Sequence, residues 1–450
     1  MLRRSLLLIL TVTFQVATNG PPVFGQDAVQ FTNQPQTLSR YFDPKSGMTG
    51  DEAVAYALSH NADLLAVRKE IEAARALVRQ AASRANPMID VERKEQLNGS
   101  DNDTMIGGTL PLELGGRRSA RIRVAQRELE MKERLLTDRE RLLAAEVKAK
   151  FGQALGEMLK LAFTENLLTT TDRGYCLVAA RVTEGRTAPL EQNMVLVEVN
   201  RIRSLRETGE GKVQIVLLEL RNLIGMVPEE YVRLRGDLNP TVEPLPSVAL
   251  VTEVALKERP DVQAARTAEA LAEAQIEQAR SEGRFDVSVS AKYELMNFGF
   301  PQKGFDDAGR LAPINGRFHS LAVGVNIYSP VRNHNQGSIE AAVAEKEAAT
   351  RRREFTELTV RREVAASFAR YAQSMRAAEI YRVGVRDQAN ANLDVVRQTY
   401  ELGSKTLLDF IAEQRRFIEV ETGFIDSLLE TYLAHVDIER ATSSPKLITK

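Results

Sequence analysis

The side chains most often used for metal binding and nucleophilic catalysis are few and widely separated in this sequence. The histidines are spread along the chain, and none stands at the short spacing of a metal-binding motif: His60, His319, His334 and His435. No nucleophile elbow, phosphate-binding loop, HExxH or paired CxxC motif occurs. The sequence therefore predicts no catalytic residue, no bound metal and no cofactor.

The composition of the 450-residue chain further limits the fold classes and partners to be expected. Apolar residues make up 43% of it, aromatic residues only 6%, and tryptophan is absent. This favours long helices packed along narrow seams over a large compact core. The net charge of −1 gives no reason to expect nucleic acid as a partner. The single cysteine, Cys176, cannot form a disulfide within the chain, and we expect it to pack as a small apolar residue.

Residues 1–25 have the layout of a secretory signal peptide. Two arginines precede a short apolar run, residues 6–16, and cleavage is expected after Gly25, which leaves 26–49 as an N-terminal extension. The alternative is a buried N-terminal strand or helix. No later stretch approaches ~18 consecutive apolar residues, so the exported chain is expected to cross a membrane only as a barrel.

Two segments without proline predict exceptionally long helices. Residues 117–184 and 335–402 are rich in Ala, Glu, Arg and Leu, and each would span about 100 Å as one helix. Four glycines inside them each lower helix stability by about 1 kcal/mol relative to alanine, which weakens the prediction of continuous helices: Gly152, Gly156, Gly174 and Gly384. Coiled-coil spacing of apolar residues, as in Ile411, Ile418 and Ile425, requires helix partners. Shorter helices are predicted near 50–85, 189–224, 250–283 and 406–440.

Alternation of apolar and polar residues predicts four strands. Residues 285–295 and 319–328 alternate clearly, with 299–317, rich in Gly, Pro, Asp and Asn, as the loop between them. A weaker pair, 88–96 and 104–112, comes earlier in the chain. The fold is therefore predicted to be mainly α with a small β part.

The chain also repeats itself. Residues 57–63 resemble 255–261, and 183–187 resemble 401–405, so each half has the order helix, strand, strand, long helix, glycine turn, helix. The predicted organisation is a first repeat at 50–240, a second repeat at 241–442 and a C-terminal tail at 443–450.

Two strand pairs cannot close a barrel, and lipid does not tolerate their open edges. Three copies would supply twelve strands, an even number suited to a transmembrane barrel, and the long helices would continue its wall as a tube. One set of alternating side chains would face the lumen: Ser288, Ser290, Lys292 and Glu294. The other set would face lipid: Val287, Val289, Tyr293 and Leu295.

Three segments resemble the outer-membrane factor (TolC-type) family of efflux ducts: 110–118 (LPLELGGRR), 327–330 (IYSP) and 400–409 (YELGSKTLLD). The resemblance covers nearly the whole predicted mature chain. It implies a homotrimer with a twelve-stranded β-barrel in outer-membrane lipid and an α-helical tunnel in the periplasm. It also implies passive conduction from an inner-membrane pump through a periplasmic adaptor, or membrane fusion protein. Residues 259–266 are similar to the heavy-metal-efflux branch.

The glycine turns at Gly185 and Gly403 are expected at the far ends of the helical hairpins. Glycine suits the left-handed backbone that often ends a helix. These turns, with Arg186 and Ser404, are candidate docking sites for the adaptor. The alternative is that they only terminate helices.

The same resemblance implies a gate at the second turn, made of Tyr400, Lys405 and Asp409. Glu191 stands six residues after Gly185, as Asp409 does after Gly403, and would accept a hydrogen bond from Tyr400. In a trimer, Asp409 would form a negatively charged ring that favours cations. The sequence departs from the family at Leu190, where a hydroxyl can stand, and at Ala412, which removes a second acidic ring.

Two other classes of protein remain as alternatives. A non-channel periplasmic coiled-coil scaffold would explain the long helices but not the signal peptide or the alternating strands. An exported enzyme would need a catalytic constellation, and the acidic pair Asp306 and Asp307 falls in the predicted loop, where solvation explains it.

Overall fold

Long helices and one sheet form the described part of the chain, which is residues 38–99, 101–238 and 246–443 of a computed structural model. The helices are α1 (Gly50–His60), α2 (Ala62–Ala82), α3 (Arg117–Thr183), α4 (Pro189–Ile224), α5 (Val248–Glu258), α6 (Pro260–Glu282), α7 (Gln336–Ile380), α8 (Arg386–Glu401) and α9 (Leu407–Thr442). The strands are β1 (Met88–Glu95), β2 (Asn102–Pro111), β3 (Asp286–Phe305) and β4 (Leu311–Tyr328). The predicted signal peptide lies outside the described residues, as does the tail after Ser443.

The predicted long helices are present, but only the first is uninterrupted. Helix α3 runs for 67 residues without a break. A π turn at Tyr381–Val385, which contains Gly384, separates α7 from α8. Two helices predicted as single are each divided in two. Asn61 stands between α1 and α2, where its side chain accepts from the Leu64 amide, and Arg259 separates α5 from α6.

The glycines of α3 allow α9 to approach closely. A Cβ at Gly152 would lie 2.4 Å from two ring carbons of Tyr432, and one at Gly156 would lie 3.2 Å from Leu429. At Gly152 the cost of glycine to helix stability is therefore offset by packing that a larger residue would disrupt, whereas at Gly156 a larger residue would require only a small shift of Leu429. Gly174, further along the same helix, has nothing within 4 Å of its Cβ position.

The four strands form one antiparallel sheet in the order β1-β2-β3-β4. The two predicted strand pairs are thus joined, because β2 pairs with β3 from Asn102 opposite Asn297 to Pro111 opposite Ser288. The prediction of a loop at 299–317 was wrong. Strand pairing continues through most of that range, and the turn occupies only residues 306–310. Gly299, Gly304, Pro313 and Asn315 lie at paired positions of β3 and β4, and the register shifts between Phe300 and Lys303.

The two faces of the sheet differ in polarity. The four residues predicted to face a lumen share one face, since they alternate along β3. On the opposite face of β4, the large apolar side chains are 59–76% exposed: Leu321, Val323, Val325 and Ile327. None of the described helices is long and apolar enough to span a membrane.

A junction between the sheet and the helices is formed by residues 112–121 with the ends of α2 and α6. The chain leaves β2 and enters α3 through Gly115 and Gly116, whose φ angles of 77° and 85° suit glycine. The Arg284 guanidinium donates to the Gly115 carbonyl oxygen at 3.0 Å. The Gly-Gly-Arg-Arg sequence therefore has a structural role where the strand turns into the long helix.

Arginines at the start of α3 satisfy the carbonyl groups left free at the end of α2. Arg118 donates twice to the Ala82 oxygen, at 2.9 and 2.6 Å. Arg121 donates to the oxygens of Ala81 at 3.1 Å and Ser83 at 3.0 Å. Cations at a helix C-terminus also interact favourably with its dipole.

Arg117 satisfies the carbonyl groups left free at the end of α6. It donates to the oxygens of Ser281, Glu282 and Arg284 at 3.4, 3.1 and 3.0 Å. It also forms an ion pair with Asp286 at 2.9 Å, at the start of β3. One guanidinium thus ties the start of α3 to both the end of α6 and the strand that follows it.

We predict opposite effects for alanine at two glycines of α3. Gly152→Ala should lower the thermal midpoint, because the new methyl group collides with the Tyr432 ring. Gly174→Ala should raise stability by up to about 1 kcal/mol, because alanine is the better helix former and the space is open. Circular dichroism melting in one detergent would compare both variants with the parent chain. Equal midpoints for the two would contradict the close approach of α3 and α9.

Candidate functional site

The two helical tips, residues 184–188 and 402–406, have the same backbone design. Gly185 and Gly403 have φ angles of 70° and 77°, as predicted for left-handed helix ends. In each tip the glycine amide donates to a carbonyl three residues back, and the next amide donates to one five residues back: Gly185 to Val182, Arg186 to Arg181, Gly403 to Tyr400 and Ser404 to Thr399. These bonds satisfy carbonyl groups at the ends of α3 and α8. Adaptor docking at these tips remains a prediction.

Tyr400 and Glu191 are in contact within the chain. The Tyr400 hydroxyl donates to the Glu191 carboxylate at 3.3 Å, which links α8 to α4. Burial, together with the negative charge of Glu191, raises the pKa of Tyr400. The phenol therefore keeps its proton and remains a donor at neutral pH. Phe410 of α9 stacks on the Tyr400 ring at a centroid distance of 6.0 Å and holds it in place.

Asp409 has a structural role that its sequence position did not disclose. Its carboxylate accepts from the Thr406 amide at 3.0 Å and hydroxyl at 2.8 Å, while the Asp409 amide donates back to the hydroxyl at 3.2 Å. This capping box starts α9. The hydrogen bond from the Thr406 amide is the main reason that the pKa of Asp409 is lowered. The carboxylate is exposed, and the ring of Asp409 side chains stays a prediction.

Lys405 stands at the exposed second tip. Its ammonium contributes a smaller part of the lowered pKa of Asp409. No ion pair of Lys405 within 4.0 Å is present in the described part of the chain. Its predicted partner on a neighbouring helix therefore stays a prediction, as do the roles of Arg186 and Ser404.

A buried carboxylate behind the tips joins the two hairpins. Glu198 is 1% exposed and pairs with Arg201 on its own helix at 2.6 Å and with Arg415 of α9 at 2.8 Å. Burial alone would raise the pKa of Glu198, but the two guanidinium groups outweigh it and lower the pKa. Nearby, the Gln414 amide donates to the Thr171 hydroxyl at 3.0 Å. Sequence reasoning missed this group.

A signal for Glu198 was present in the sequence. Val195, Val199 and Ile202 form the buried stripe of α4, and Glu198 lies within it. A carboxylate in an apolar stripe needs a cationic partner, because an unpaired buried charge is costly. The partner on α9 could not be identified without the packing of the two hairpins.

A cleft of about 280 Å³ lies between the hairpins, close to Tyr400. Its walls are mainly apolar and include Val178 and Ile411, while Arg173 and Arg181 stand at its rim. The Gly174 position opens onto this cleft. The second hairpin is therefore not fully packed against the first near the tip.

Cys176 is exposed, so the expectation that it packs as a small apolar residue was wrong. It lies on a side of α3 that no other described element covers. Among the described residues, no group of three or more His, Cys, Asp or Glu side chains could hold a metal ion.

The segment that resembles the heavy-metal-efflux branch is a buried anchor. The Arg259 side chain, 3% exposed, pairs with Asp261 at 2.6 Å and with Glu363 of α7 at 2.8 Å. It also donates to the Ala441 carbonyl oxygen of α9 at 3.2 Å. This part of the resemblance therefore has a packing explanation in this chain.

Long helical hairpins continuing from a sheet with one apolar face are typical of outer-membrane efflux ducts. The chain belongs to the outer membrane efflux protein family, whose family model matches residues 54–226 and 251–447. This membership confirms the predicted TolC-type resemblance, the efflux function and the outer-membrane location.

The matches to individual relatives extend over most of this chain and most of each relative. The chain is 22% identical to the cobalt-zinc-cadmium resistance protein CzcC of Cupriavidus metallidurans, over 87% of this chain and 89% of that protein. A membrane protein from Pseudomonas aeruginosa has the same fold, with a TM-score of 0.73, 22% identity, and coverage of 87% and 92%. The structure of the Neisseria gonorrhoeae MtrE outer membrane channel in its open state matches with a TM-score of 0.68 and 18% identity. The match covers 88% of this chain and 89% of that one.

We predict that the link between Glu198 and Arg415 weakens in acid. A carboxyl group with a lowered pKa stabilises the fold at pH values above its unfolded pKa, about 4.3, and this contribution is lost as the pH falls through the folded pKa. Glu198→Gln should therefore lower the thermal midpoint at pH 7 and reduce its decline between about pH 5 and pH 3. Glu72→Gln, which removes an exposed ion pair with Lys69, is the control. The prediction fails if both variants decline in acid as the parent does.

Proposed function

We propose that the chain is one subunit of a homotrimeric duct that passively conducts solutes out of the cell. The observation that carries this proposal is the four-stranded sheet, which exposes a large apolar face and leaves β1 and β4 as free edges. A water-soluble protein would cover such a face, and a non-channel coiled-coil scaffold would not need it.

Closure of the sheet requires other copies. Backbone groups at a free edge cannot be left unpaired in lipid, so β4 of one copy would pair with β1 of the next. Three copies of a four-stranded sheet would give a twelve-stranded barrel. The apolar face would then meet lipid, and Ser288, Ser290, Lys292 and Glu294 would line the lumen.

The helices would extend this barrel into the periplasm. A helix as long as α3 spans about 100 Å, which places the tips far from the sheet. The recurrence of the element order supports two repeats, 50–240 and 241–442, each supplying one hairpin to the tunnel. The exposed turns at Gly185 and Gly403 would meet a periplasmic adaptor, through which an inner-membrane pump delivers cargo.

Heavy-metal ions are the cargo class that we propose. Support comes from the similarity to the cobalt-zinc-cadmium resistance protein CzcC. A duct conducts best without a tight site, because a strongly bound ion would leave slowly. Charge rings such as that of Asp409 would act on cations in transit rather than store them.

Cross-linking should locate the adaptor at the tips. Arg186→Cys and Ser404→Cys, made with Cys176→Ser, should react with an adaptor through a short bifunctional maleimide. Lys303→Cys, in the outer part of β3, is the control and should give no adduct. Adducts from Lys303→Cys alone would reverse the proposed orientation.

The gate should depend on the tip contacts. Tyr400→Phe with Lys405→Ser removes the hydrogen bond to Glu191 and one positive charge, so single-channel conductance in planar bilayers should rise. Asp409→Asn should lower cation preference, because it keeps an acceptor for Thr406 but removes the charge. Tyr231→Phe, at a side chain that is 94% exposed, is the control. Unchanged conductance and selectivity, in trimers shown intact by mass, would exclude this gate.

A further inference from the structure

The hairpin formed by β3 and β4 extends well beyond the rest of the sheet. The last pairing between β2 and β3 joins Asn102 to Asn297, whereas β3 and β4 remain paired out to Phe305 and Leu311. Residues 298–318, here called the distal hairpin, therefore stand free of β1 and β2. This is the segment that the sequence presented as a loop.

The polarity of the sheet reverses where the distal hairpin begins. Along β3, the face that carries Ser288, Ser290, Lys292 and Glu294 continues as Met296, Phe298 and Phe300. On β4 the same face carries Phe318 opposite Met296 and Ile314 opposite Phe300. A face that is polar near the helices thus becomes aromatic at the far end.

The other face becomes polar where the distal hairpin begins and carries large apolar side chains again only at the tip, where Phe305 lies opposite Leu311. Its continuous apolar band ends at Leu295, which lies opposite His319. The Tyr293 hydroxyl contacts Nδ1 of that histidine at 2.6 Å. Above this level Arg317 donates to the Asn297 side chain at 3.2 Å, and Asn297 donates to Asn102 at 2.7 Å. This polar network lies at the base of the distal hairpin, so the lipid-facing band of the sheet ends below it.

The aromatic side chains form a cluster around a glycine. Phe300 and Phe318 meet edge to face with ring centroids 6.4 Å apart. A Cβ at Gly316 would lie 2.6 Å from the Phe318 ring and 3.1 Å from the Phe300 ring, so glycine makes room for both. The cluster still exposes Phe298, Phe300 and Phe318 by 40–45%. Packing within one chain therefore does not bury it.

We propose that this aromatic face packs against the same face of the two other copies and forms an apolar seal at the outer mouth of the duct. This inference rests on the proposed trimer. Strand pairing continues from the sheet into the distal hairpin, so its aromatic face turns toward the same axis as Ser288 and Ser290. Near that axis, the aromatic face can contact either water or the aromatic faces of the two other copies.

Contact between the three faces would remove exposed aromatic surface from water, which is favourable for each copy. A ring of such side chains also excludes water from a narrow pore and so stops ions without a charge barrier. The seal would lie at the opposite end of the duct from the gate at Tyr400. The duct would then have two closures of different chemistry.

Cross-linking between copies tests the contact. In the full chain with Cys176→Ser, Phe298→Cys should give dimers under copper-phenanthroline oxidation. Asn297→Cys, adjacent in sequence but on the opposite face, is the matched control and should not. Two results in trimers of intact mass would overturn the seal and leave the trimer standing. One is that Phe298→Cys gives no dimers, and the other is that Phe298→Cys and Asn297→Cys give equal amounts of dimer. A monomeric mass would overturn the trimer itself, and the seal with it.

Conductance provides a second test. Phe298→Ser removes one aromatic group per copy and leaves the pair Phe300 and Phe318 intact, so the hairpin should keep its fold. In the Tyr400→Phe, Lys405→Ser background, where the tips no longer limit flow, single-channel conductance should rise. Asn297→Ser should leave it unchanged. Equal conductance for Phe298→Ser and its background, in intact trimers, would contradict the seal.

Discussion

Unpaired backbone groups at the junction between sheet and helices constrain the arrangement of the whole chain. Helices α2 and α6 end where the strands begin, and each would leave carbonyl groups without partners. Arg117, Arg118 and Arg121 satisfy them from the first turns of α3. Since Arg117 also pairs with Asp286, the same side chain fixes the direction of β3 relative to α3. Small angular errors here would grow along a helix of about 100 Å, so the tips depend on this junction.

The two hairpins share an element order but are stabilised differently. Helix α3 is continuous, and its glycines let α9 pack against it through Tyr432 and Leu429. Beyond the π turn, α8 has only Ala389 buried, and its hydrogen bond to the first hairpin is made by Tyr400. The buried carboxylate of Glu198 joins the hairpins just behind that contact. Mobility is therefore expected at the end of the second hairpin rather than the first.

The parts of the fold that follow from local composition were predictable. Helix α3 has no proline and many strong helix formers, and the glycine turns needed only a left-handed residue. Long-range packing was not predictable. Arginines 117, 118 and 121 look like an ordinary solvated run in the sequence, because the carbonyl groups they bind belong to distant helices. The contact of Tyr400 with Glu191 was anticipated from the resemblance, whereas the capping role of Asp409 was overlooked. The distal hairpin was missed because glycine and proline outweighed its alternating phenylalanines.

The π turn at Tyr381–Val385 has a consequence for how the tip varies among related chains. Such a turn absorbs one additional residue, and each residue rotates a helix by about 100°. Insertion or deletion of a single residue here would therefore change which side chains of α8 face α4 and which face outward. The seam between α7 and α9 lies before this point and would keep its register. A small genetic change could thus give the duct a new set of surface residues for a different adaptor without redesigning its wall.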